Sequence, residues 1–284
     1  MAGVPYRSYV AIGDSLSEGL GDFTFDTERE HNGWTDRLAA LLAREAQTRA
    51  AQTLAPNGAA PDFQFANLAL RGSKMRNIMG AQLEAALRLQ PDLVTVMAGS
   101  NDFMTKDLDA LETIFCDGLM LLQAAGCDVL VANTIRPAHL KFFKRVLPRA
   151  YRMSQMIDRV ARELGIAVID VHGIEDFVDL VYWAEDMVHF SGHGHVRIAN
   201  EAAALLGLTH RIPEADRQDM IAPNRGVLAT LRWYKDYVLP FVERRLRGTS
   251  SGDGLTSKHL SLVPFSNFEL PVIAVGQGEF AQAA

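Results

Sequence analysis

The sequence has little cysteine. Cys116 and Cys127 are the only two in 284 residues, and their spacing fits neither a disulfide framework nor a redox or zinc motif, so both are expected as small buried side chains. It has no run of ~18 consecutive apolar residues, which excludes a membrane-spanning helix and any stable membrane insertion. It has no surplus of positive charge. With 28 Lys and Arg against 34 Asp and Glu the formal net charge is −6, which sets nucleic-acid binding aside. Its opening residues, MAGVPYRSYVAIGDS, lack the basic, apolar and cleavable regions of a signal sequence, so a cytoplasmic location is expected. The bias of disordered chains is missing too. Hydrophobic residues make up 48% and charged residues 22%, which suits a chain that buries a full core.

What is there begins with a rhythm. Short β-branched runs at Tyr9–Ile12, Phe63–Leu68, Leu93–Ala98, Val129–Ala132 and Ile166–Val171 alternate with helical periods at Trp34–Arg49, Met75–Leu89, Leu108–Ala124 and Tyr151–Leu164. A last helix is expected over His195–Leu206. Such alternation predicts an α/β fold, with a five-stranded parallel sheet covered by helices on both faces. The rhythm stops near residue 207. The expected division is therefore a catalytic unit over 1–207 and a C-terminal helical extension over 208–284. In the extension, Pro223–Arg247 reads as one amphipathic helix with a possible kink at Pro240, and Gly248–Ala284 as a weakly ordered tail. The aromatic residues Trp233, Tyr234, Tyr237 and Phe241 stand there beside Arg232, Lys235 and Arg245, a pattern suited to packing, to a partner or to a membrane surface.

Ligands of parallel sheets bind beyond the carboxyl ends of the strands. Ser15 follows the first strand within Ile12-Gly13-Asp14-Ser15-Leu16, where a sharp turn aims its hydroxyl outward. A serine hydroxyl needs a base to become a nucleophile. Asp186-Met187-Val188-His189 supplies a base and, three residues earlier, a carboxylate to orient it. Oxyanion donors are also available. Ser15 and Gly72 each offer a backbone N–H, and Asn101 offers its side-chain amide, each after a different strand.

Alternatives compete at several of these positions. Ser15 could cap a helix, Asp170 could replace Asp186 as the orienting acid, and Ser17, Ser73 or Ser100 could be the nucleophile. Asp14 and Asp102 read as turn or cap carboxylates. His189 and His193 stand four apart, but Gly192 and Gly194 speak against a helix there. No metal site is expected, and His195 reads as packing.

The blocks Gly13-Asp14-Ser15-Leu16, Gly72, Gly99-Ser100-Asn101-Asp102 and Asp186-x-x-His189, in this order, resemble the SGNH hydrolases, also called the GDSL family of esterases and lipases. The strings Asn67-Leu68-Ala69-Leu70-Arg71-Gly72 and Pro91-Asp92-Leu93-Val94 are similar to an intracellular actinobacterial branch. The resemblance covers about residues 6–207. It implies a flavodoxin-like three-layer α/β/α sandwich, Ser15 as nucleophile, His189 as base, Asp186 as its orienter, and Ser15, Gly72 and Asn101 as the oxyanion hole. It implies hydrolysis of small to medium acyl esters without a cofactor. An acyl-CoA thioesterase or a carbohydrate O-acetylesterase is the alternative, with a non-catalytic binding protein or a metal-dependent phosphoesterase further off. A small-molecule ester is the expected partner, and the oligomeric state stays open. Asp22–Asn32 and Pro137–Leu147 are expected to shape the pocket, the latter drawing anionic substrates through Lys144 and Arg145.

Overall fold

The computed structural model describes residues 6–22, 32–53, 63–103, 105, 107–136, 139, 146–224, 226–247 and 249–265. Most of the two expected pocket loops lies outside these residues, Lys144 and Arg145 included. So do the side chains of Phe241 and Arg245 and the end of the tail.

The strands are β1 Ser8–Gly13, β2 Gln64–Asn67, β3 Leu93–Met97, β4 Asp128–Ala132, β5 Ala167–Ile169 and β6 Val263–Pro264. They form one sheet in the order β5-β4-β3-β1-β2-β6. The first five run parallel, in the 2-1-3-4-5 order of flavodoxin-like folds. All five residues of β3 are buried, as expected of a parallel strand covered on both faces.

The helices are α1 Ser15–Glu18, α2 Trp34–Thr53, α3 Met75–Asn77, α4 Leu83–Leu89, α5 Leu108–Ala124, α6 Leu147–Glu163, α7 Gly192–Leu205, α8 Val227–Trp233 and α9 Leu239–Arg247. A π-helical turn, Ile78–Gln82, joins α3 to α4, and another, Tyr234–Val238, joins α8 to α9. Successive residues of β1 face opposite ways. Tyr9 and Ala11 pack with Trp34, Leu38 and Leu41 of α2 and with Val196 and Ala199 of α7. Val10 and Ile12 pack with Met75, Leu83, Phe115 of α5 and Ile157 of α6. The fold is thus a three-layer α/β/α sandwich.

Three expectations need correction. The sheet has six strands, not five. The extra strand comes from the tail and pairs antiparallel with β2, through Gln64 with Pro264 and Phe65 with Val263. It covers an otherwise open sheet edge, and Phe265 adds an edge-on contact with Phe65 at 5.5 Å. Next, α7 starts at Gly192 rather than His195. Ser191 caps it by accepting from the Gly194 N–H, and a Cβ on Gly194 would overlap the Tyr182 carbonyl oxygen. That glycine is there for close packing and does not stop the helix. Finally, α6 begins at Leu147 instead of Tyr151, because Pro148 is tolerated in a first turn.

Candidate active site

β1 lies at the point where the chain switches from building one half of the sheet to the other, and Ser15 stands just beyond its carboxyl end. The turn is built by Asp14, whose Oδ1 accepts the Leu16 N–H at 3.0 Å and caps α1. Ser15 is therefore not the cap, and its hydroxyl lies 2.8 Å from His189 Nε2. Of the four serines considered, Ser15 is the one with a histidine nitrogen at this distance among the described residues. Ser73 Oγ instead accepts from Gln82.

His189 is carried by a loop folded back on itself. Trp183 bridges Phe190, and the Ala184 N–H donates to the His189 carbonyl at 2.9 Å. Buried Phe177, Trp183 and Phe190 stack beneath at 4.9–6.1 Å. The loop turns at Met187, whose φ of 58° is a left-handed conformation rare for such a side chain. This brings Asp186 Oδ2 to 2.5 Å from His189 Nδ1, while Asp186 Oδ1 accepts the N–H groups of Val188 and His189 at 2.9 Å each. His189 Nδ1 thus donates and Nε2 faces the serine. Asp170 is committed elsewhere, to Asn133 and to the Gly173 N–H.

The charges follow from these contacts. Burial pushes the Asp186 carboxyl up, but His189 and the converging N–H donors outweigh it and hold the pKa at about 2. Burial pushes His189 down, yet the charge and hydrogen bond of Asp186, helped by Asp14, raise it above its ordinary value. Asp14 behaves differently. Fully buried, it is pushed up to about 7, despite the Leu16 N–H and nearby His189.

Gly72 adopts φ 73° in the loop after β2. Its neighbour Arg71 is bound to Glu18 of α1 through the backbone N–H at 2.6 Å, through Nε at 2.9 Å and through Nη2. The Gly72 loop is in this way tied to the helix that carries Ser15. Asn101 Nδ2 donates to the Ser73 carbonyl at 3.0 Å, and its other proton points toward Asp14 Oδ2, 3.5 Å away. That second contact is too long to hold the proton firmly, so it is available to a ligand. Asp102 accepts the N–H of Met75, the first residue of α3, and His195 accepts from the Trp34 N–H and donates to the Leu20 carbonyl at 3.1 Å each. Both act as structural groups.

Two positioning residues were not anticipated from the sequence. Gln82, on the π-helical turn, accepts the Gly13 N–H at 2.8 Å and donates to the Gly13 carbonyl at 3.0 Å, fixing the residue just before the Asp14-Ser15 turn. Trp233 of α8 donates its indole N–H to the Asp186 carbonyl at 2.9 Å. No periodicity points to either. The π-turn is an irregularity of the kind often found at sites, but it leaves no sequence mark.

Comparison with known proteins agrees with this architecture. The chain belongs to the GDSL-like lipase/acylhydrolase family, whose profile matches residues 11–197. It is thereby a carboxylic ester hydrolase. No curated protein matches the sequence. Among solved structures, the fold is similar to LAE5, an alpha/beta hydrolase enzyme from the metagenome of Lake Arreo, Spain. The identity is 20%, the TM-score 0.57, and the match covers 72% of this chain and 96% of that one. It is also similar to Axe2, an acetylxylan esterase from Geobacillus stearothermophilus, at 18% identity and a TM-score of 0.55, covering 71% and 94%. A third is the acetyl xylan esterase AlAXEase, at 14% identity and a TM-score of 0.53, covering 70% and 99%.

Proposed function

We propose that the protein hydrolyses small to medium acyl esters through an acyl-enzyme on Ser15. The observation that carries this reading is the unbroken hydrogen-bond line from Ser15 Oγ through His189 to Asp186. His189 Nε2 takes the serine proton as Oγ attacks the ester carbonyl, and Asp186 holds the ring and stabilises the imidazolium. The oxyanion rests among the N–H groups of Ser15 and Gly72 and the Asn101 amide proton that is held only at long range by Asp14. His189 then protonates the departing alcohol. Water, deprotonated by the same ring, attacks the acyl-enzyme and releases the acid. Catalytic mutants of Axe2 replace a serine, an aspartate and a histidine, the last two three positions apart, which is the spacing of Asp186 and His189.

A carbohydrate O-acetylesterase activity is the second reading, supported by the two acetylxylan esterases of similar fold. The test is a screen of purified wild-type protein and Ser15→Ala on nitrophenyl esters of graded chain length and on acetylated xylo-oligosaccharides. Wild type is expected to show a burst of nitrophenol and to label with a fluorophosphonate, and Ser15→Ala to do neither. Equal turnover in the variant would refute the mechanism.

A further inference from the structure

The segment beyond residue 207 lies outside the family match, yet it reaches the candidate site from two sides. On one side, Trp233 is bonded to the Asp186 carbonyl, and Arg232 and Tyr237 lie close enough to Glu185 and Asp186 to feel their charge. On the other side, residues 249–252 lie on the loop that carries Gly72. A Cβ on Gly72 would overlap Ser250 Oγ and come within 2.9 Å of Ser251 Oγ, while one on buried Gly252 would overlap the Arg71 carbonyl oxygen. The serine hydroxyls thus lie against the bare Cα of Gly72, and Gly252 lets the strap's backbone meet that of Arg71 directly. Beyond this contact the strap is held down. Lys258 Nζ bonds both oxygens of buried Asp36 at 2.8 and 2.9 Å, the His259 N–H donates to the Asn67 carbonyl, and β6 joins the sheet.

Ser15 stands between these two seats, bonded to His189 on one side and joined through Glu18 to Arg71 on the other. The intervening residues, 234–247, are helical and at ~1.5 Å per residue span about 20 Å. The arm thus links the histidine side of the site to the Gly72 side. The leaving oxygen has to face His189, which protonates it. The oxyanion faces the Gly72 N–H, so the acyl chain on the same carbon leaves beside the Gly72 loop and the strap that lies on it. We propose that this C-terminal arm is the specificity-determining wall of the site, with Ser250–Gly252 closing the acyl side so that short acyl groups are accepted over long ones. The inference rests on the ester-hydrolase reading above.

The experiment compares kcat/KM for nitrophenyl acetate and octanoate in wild type and in two variants, with folding followed by Tm and circular dichroism. Gly252→Ala lifts the strap off the Arg71 carbonyl, and Lys258→Gln releases its far anchor, so that one variant serves if the other does not fold. The octanoate-to-acetate ratio is expected to rise at least fivefold in a folded variant, mainly through a lower KM for octanoate. A ratio within twofold of wild type in a folded variant would overturn the inference while leaving the ester-hydrolase reading intact. Failure of wild type to cleave any ester or to label with fluorophosphonate would overturn both.

Discussion

Replacing Asp14 by Asn tests how the motif's own carboxylate is used. The side chain has no solvent exposure, and burial raises its pKa from 3.8 to about 7. That is a shift of about 3 units, and at ~1.4 kcal/mol per unit it corresponds to about 4 kcal/mol. The raised value means that the native state binds the proton more tightly than the unfolded chain. The stabilisation is therefore fully present below pH ~4 and is lost as pH rises from ~4 to ~7, with a slope near −1.4 kcal/mol per pH unit. Asn removes the titration but turns an amide toward Asn101, a mismatch costing roughly 1 kcal/mol. Asp14→Asn is thus expected to flatten this slope and to gain about 3 kcal/mol at pH 8. Chemical denaturation at a series of pH values measures both. A second readout is independent of the first. Ionised Asp14 helps keep His189 charged, so the variant should lower the His189 pKa and move the acid limb of kcat/KM to lower pH. The His189 contribution to stability is lost only above pH ~6.5, as pH rises through its own raised value, so the slope between pH ~4 and ~6.5 belongs to Asp14. An unchanged stability slope, or an acid limb that moves upward, would refute the reasoning.

Gln82→Ala removes three hydrogen bonds to Gly13 and Ser73, and kcat is expected to fall by roughly 10- to 100-fold (~1.4–2.7 kcal/mol) with little change in KM. Gln82→Glu, which can still accept the Gly13 N–H, should recover part of that loss in the same steady-state assay. His195→Leu leaves the Trp34 N–H and the Leu20 carbonyl without partners in the core. A loss of about 3–5 kcal/mol is expected, read by calorimetry as a Tm about 10 °C lower.

Parts of this molecule were legible in the sequence wherever one local rule governed. The short β-branched runs of β1 and β3, alternating with helical periods, marked doubly covered strands, and the α5 boundaries followed from helical period. Ser15, Asp186 and His189 were legible because each stands in a short string that turns sharply. What stayed hidden depends on contacts between distant segments. β6 has two residues, one of them proline, and becomes a strand only because β2 offers an edge. Thr249-Ser250-Ser251-Gly252 has the composition of a linker, yet its small residues are what allow it to lie against Arg71 and Gly72. The helix at Gly192 was obscured because two glycines read as breakers until Tyr182 is seen pressed against one of them.

The pairing of β6 with β2 also has a consequence for biosynthesis. About 200 residues separate the two strands, and at ~5–20 residues per second the ribosome takes roughly 10–40 s to make them. Throughout that interval the nascent chain holds β2 as a bare edge, open to pairing with another chain. Lys258 and Asp36, 222 positions apart, likewise meet only once both have been made. Residues 249–265 therefore complete both the sheet and the proposed wall of the site, and a chain that stops before them would lack both.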